Sequence, residues 1–86
     1  MSEEFRIDEM ELEEINGGIT RPVKNTSAGY ANVRTAPGLK SGILGRVSNG
    51  KKVSTIGAPV VKDGYKWYPI MTNKGKGWIA GSLIGL

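Results

Sequence analysis

Six side chains spread over residues 30–78 have the types and spacing to do chemistry: Tyr30, Asn32, Arg34, Tyr65, Trp67 and Trp78. The chemistry they offer is recognition. Aromatic rings supply flat apolar surface, and a guanidinium supplies a fork of hydrogen-bond donors. Side chains alternate across a strand, so an inward Val33 takes Ala31 with it and turns Tyr30, Asn32 and Arg34 outward. Inward Tyr68 and Ile70 turn Trp67 and Pro69 outward, and inward Ile79 turns Trp78 and Ala80 outward. On this reading Tyr30, Trp67 and Trp78 converge on one partly exposed groove, with Tyr65 at its rim, suited to a peptide or a sugar. The same pattern carries a plainer reading. In so small a domain the rings are core or half-buried, and Asn32 and Arg34 tie down the loop around Pro37.

Catalysis is poorly served. The 86 residues contain no Cys and no His. Thiolate or imidazole nucleophiles and bases, the common zinc ligand sets and any disulfide are therefore absent. A Lys or Asp base is the remaining chemical option. The expectation is a non-enzymatic chain without cofactor or metal. The apolar runs are far shorter than the ~20 residues that span a bilayer. Residues 1–18 lack the basic start and continuous apolar stretch of a secretory signal peptide.

The elements that must position these groups are short strands. Turn signals recur at Ser27–Gly29, Pro37-Gly38, Ser41-Gly42, Asn49-Gly50, Asp63-Gly64 and around Gly75 and Gly77, with Val-, Ile-, Tyr- and Thr-rich runs between them. That is the pattern of a small all-β barrel or sandwich. Asn49-Gly50 predicts a two-residue hairpin joining Ile43–Ser48 to Lys51–Ile56. Lys62-Asp63-Gly64 and Asn73–Gly75 predict the next two reversals. Pro22, Pro59 and Pro69 point to edge positions or bulges.

Charge divides the chain in two. Residues 1–18 hold seven acids and one base, a net −6, whereas residues 19–86 hold eleven bases and one acid, Asp63, a net +10. Such a break marks a boundary. The basic part carries a positive field that attracts polyanions in a salt-dependent way. The acidic part has Ser2 or Glu3 to open a helix and Gly17 and Gly18 to close it. Phe5, Leu12 and Ile15 share one arc of that helix, with Ile7 at its edge. Alone in water it is marginal, which suits a segment that becomes helical in a partner's groove.

Two resemblances follow. Ile7, Glu11, Leu12, Ile15, Gly17 and Gly18 resemble the double-glycine leader of bacteriocins and peptide pheromones, with Ile7 where Leu is usual. The resemblance implies that a cysteine peptidase domain fused to an ABC exporter reads residues 1–18 and cuts after Gly18. The stretches "ANVRTAPG" (31–38), "ILGRVSNGKKVSTIG" (43–57), "KWYPI" (66–70) and "GKGWIAGSLI" (75–84) resemble the bacterial SH3 domain. Ala31 departs from the larger aliphatic residue usual there, and Pro69 from a common polar one. This resemblance implies an SH3-like barrel over 19–86 and binding to bacterial cell walls, through peptidoglycan peptides or anionic wall polymers.

The leading functional expectation is thus a secreted wall-binding module, cytoplasmic as a precursor and extracellular or wall-associated after cleavage. A bacteriocin-like or signalling effector using the same export route is one alternative. The other is an intracellular adaptor for peptide or nucleic acid with an acidic regulatory tail. Against the latter, the bases form no run beyond Lys51-Lys52.

Overall fold

The computed structural model describes residues 19–86. The helix expected within 1–18, and with it Ile7, Glu11, Leu12, Ile15, Gly17 and Gly18, lies outside the described residues. Seven strands follow in order: β1 (Thr20–Pro22), β2 (Tyr30–Arg34), β3 (Ile43–Ser48), β4 (Lys52–Ser54), β5 (Val60–Lys62), β6 (Tyr65–Thr72) and β7 (Gly75–Ala80). A 3₁₀ turn, Gly81–Ile84, comes last. All strand pairs are antiparallel. Five strands form one sheet in the order β3-β2-β7-β6-β5, and β1 and β4 form a second. A bridge between Thr55 and Ile70 joins the two sheets, and the Ile56 N–H donates to the Pro69 carbonyl beside it at 2.9 Å.

Strand alternation builds the core. Ala31, Val33, Val47, Ile70 and Ile79 come from the large sheet, Val53 from β4, Val23 from the segment after β1, and Ile84 from the 3₁₀ turn. Leu44, Tyr68, Leu83 and Leu86 pack against them. Ala31 is fully buried opposite Val47, so the small side chain is accommodated within the β2–β3 pair. Gly77 is required by close packing, because a Cβ there would collide with Val33.

Two of the expected reversals are hairpins. At Asp63-Gly64 both residues have positive φ, 54° and 82°, which matches the tight turn that joins twisted strands. At Thr72–Gly75 the Thr72 hydroxyl receives the Lys74 N–H at 3.0 Å and donates to the Gly75 carbonyl at 2.8 Å. The third expectation is corrected. β3 and β4 do not pair with each other; β3 pairs with β2 and β4 with β1. Only Gly50 of the Asn49-Gly50 pair has positive φ, at 90°. That is the type II pattern, which lacks the twist that keeps a hairpin paired. The chain therefore changes sheets at this point. Asn49 holds the corner by exchanging hydrogen bonds with the Asn25 backbone: it accepts from the Asn25 N–H at 2.8 Å and donates to the Asn25 carbonyl at 3.0 Å.

The prolines sit where a missing donor costs little. Pro22 lies in the two-stranded sheet and Pro59 outside any strand. Pro69 is in β6 but beyond the β5 ladder, which ends at Trp67.

Candidate functional site

The outer face of the large sheet gathers most of the expected site residues. Tyr30 is half-buried at the start of β2. The Arg46 guanidinium, from β3, lies 4.6 Å from the centre of its ring. Asn32 is the cross-strand partner of Arg46. Arg34 is the cross-strand partner of Trp78 on β7. The Lys76 ammonium, two residues before Trp78 and on the same face, lies 4.9 Å from the centre of the Trp78 ring. The result is a stripe across β3, β2 and β7 in which cations and rings interleave.

Each ring thus has one face occupied by a cation. A guanidinium or ammonium over a ring is held by the ring quadrupole, while its outer side remains charged. Such a surface presents positive charge at fixed positions more than bare apolar platforms.

Arg34 has a second duty. Its Nη1 donates to the Ser41 carbonyl at 2.9 Å, and the Ser41 hydroxyl donates to the Pro37 carbonyl at 3.0 Å. Arg34 therefore ties down the loop around Pro37, as the plainer sequence reading held. Asn32 shows no such tie through its oxygen. Its Oδ1 is buried without a hydrogen-bond partner, and no other buried side-chain N or O among the described residues lacks one. An unsatisfied buried acceptor costs about 1–3 kcal/mol, and this one lies in the stripe beside Arg46.

Trp67 is corrected as a groove wall. It points away from the main core, as alternation requires, but is only 2% exposed. Its indole N–H donates to the Lys62 carbonyl at 2.9 Å, and the Tyr65 ring stands edge-on to it, 6.0 Å between centres. Trp67 anchors β5 to β6. Its neighbour across the ladder, Ala80, is also buried. Tyr65 stays 40% exposed. Nearby, the Asp63 carboxylate accepts the Leu39 N–H at 2.9 Å, which docks the 35–42 loop on the β5–β6 turn.

Two residues of the stripe are missing from the sequence reading, Arg46 and Lys76. The spacing of Lys76 and Trp78 on one strand carried the signal for the second. Arg46 becomes adjacent to Tyr30 only through the β2–β3 register, which no local motif sets. The structure also exposes an apolar edge on β5, with Val61 72% exposed.

The fold is that of a small, all-β, SH3-like barrel. Residues 29–85 match the family model described as the bacterial SH3 domain, and the chain belongs to that family. The family is one of binding domains, not typically catalytic, and often engaged with cell-wall material. Curated proteins and solved structures yield no match to the chain. Among the described residues no helix is long and apolar enough to cross a membrane.

Proposed function

We propose that this chain is the precursor of a secreted, non-enzymatic wall-binding module. A peptidase-bearing ABC exporter removes residues 1–18 by cutting after Gly18, and residues 19–86 then bind the cell wall through the stripe of Tyr30, Asn32, Arg34, Arg46, Lys76 and Trp78. The observation that carries the binding part is the pair of rings capped by cations, set in a domain whose bases outnumber acids eleven to one over 19–86. Charge complementarity favours anionic wall polymers as the ligand. Neutral sugar stacking is less favoured, because Arg46 and Lys76 occupy the ring faces that a sugar would use.

The test has two parts. The extracellular product of the native host is isolated and its N-terminus determined; a start at Ile19 is expected, and an intact chain alone overturns the export reading. The 19–86 fragment is then mixed with purified walls before and after chemical removal of their anionic polymers. Binding should fall sharply on removal. Undiminished binding shifts the ligand to peptidoglycan itself, and no binding to either overturns the wall reading.

A further inference from the structure

We infer that pairing of β1 with β4 withholds the Ile19 backbone from a peptidase, so that the cut after Gly18 has to precede the docking of β1. This rests on the export reading above. Ile19, the residue just beyond the bond to be cut, is held by the fold. Its N–H donates to the Thr55 hydroxyl at 3.1 Å, and its carbonyl accepts the Thr55 N–H at 2.9 Å. Thr55 is itself buried. The ladder continues without a gap. Thr20, Arg21 and Pro22 lie opposite Ser54, Val53 and Lys52, and the hydroxyls of Thr20 and Ser54 are 2.8 Å apart. Val23 follows with its side chain fully buried in the core and its N–H on the Lys51 carbonyl.

An endopeptidase takes its substrate as an extended strand and hydrogen-bonds the backbone on both sides of the bond it cuts. The Ile19 N–H is a single donor and cannot serve Thr55 and a peptidase at once. Cleavage of folded protein therefore waits until β1 leaves β4, and its rate scales with the fraction of molecules opened there. An unfolded chain meets no such barrier. The product remains compatible with the fold, because the new Ile19 amine still has hydrogens to donate to Thr55. Processing thus discriminates unfolded from folded precursor.

The experiment uses a purified double-glycine leader peptidase domain and three substrates. These are the folded full chain, a synthetic peptide of residues 1–24, and a full chain with Gly-Ser-Gly-Ser inserted between Ile19 and Thr20. The insert keeps the Gly18–Ile19 bond but moves it off the barrel. The peptide and the spaced chain should be cut at similar rates and the folded parent about tenfold more slowly or worse. Urea added to the parent should close the gap. Equal rates for peptide and parent overturn this inference alone, and so does a folded spaced chain cut as slowly as the parent. A peptide that is not cut overturns the leader reading and this inference with it.

Discussion

Trp67 and Trp78 stand on neighbouring strands and face the same side of the sheet, yet Trp67 is buried and Trp78 only half-buried. Trp67→Ala removes a buried ring and the Lys62 hydrogen bond, a loss of about 3–5 kcal/mol. Against a total of about 5–15 kcal/mol for a domain, that should lower the melting temperature by well over ten degrees, read by thermal circular dichroism. Lys76→Gln changes an exposed side chain and should lower the melting temperature by only a few degrees. It removes a cation–ring contact of about 0.5–1 kcal/mol and one positive charge, so wall affinity should drop by a few-fold in a sedimentation assay. Loss of wall binding in Trp67→Ala without loss of fold would return Trp67 to the binding face. At this scale alternation alone sorted most side chains correctly, from Ala31 and Val33 inward to Tyr30 and Trp78 outward. It failed for Trp67 because alternation gives a direction and says nothing of what covers that side.

Among the elements, the β3–β4 corner is the one whose chemistry is most concentrated. Asn49→Ala deletes both hydrogen bonds to Asn25, and with partial solvent compensation the cost is about 1 kcal/mol. A melting temperature lower by about 4–8 °C is expected. Asn25→Ala keeps that residue's backbone and so leaves the clasp intact, while removing the side-chain bonds from Ser27 and Ala28 and the one to Tyr30. The two substitutions should therefore add, and strong coupling between them would place more of the corner in the Asn25 side chain. The Asp63-Gly64 and Asn73–Gly75 hairpins were legible because their flanking runs pair with each other. The same turn chemistry at Asn49-Gly50 misleads because partner choice depends on where β1 and β2 lie, a long-range matter. The closing 3₁₀ turn had no period to read, being four residues long. Its place is set by Ile84 entering the core and by the Lys24 N–H on the Leu83 carbonyl at 2.7 Å.

For the whole molecule, the division between net −6 and net +10 has a measurable result. Binding of 19–86 to walls should weaken about tenfold or more between 0.05 and 0.5 M salt, because the screening length contracts from well above to below the spacing of surface charges. The acidic segment should also mute binding in the intact chain. At low salt the trimmed domain should sediment with walls more strongly than the precursor, and equal sedimentation removes the muting. The stripe itself has a further thermodynamic consequence. Arg46 rests on the Tyr30 ring and Arg34 on the Ser41 carbonyl before any ligand arrives. Long basic side chains normally lose about 1.5–2 kcal/mol of rotamer freedom when fixed. Here the fold has already restricted two of them, so calorimetry of polyanion binding should record a smaller entropic penalty than a surface of freely rotating lysines would impose.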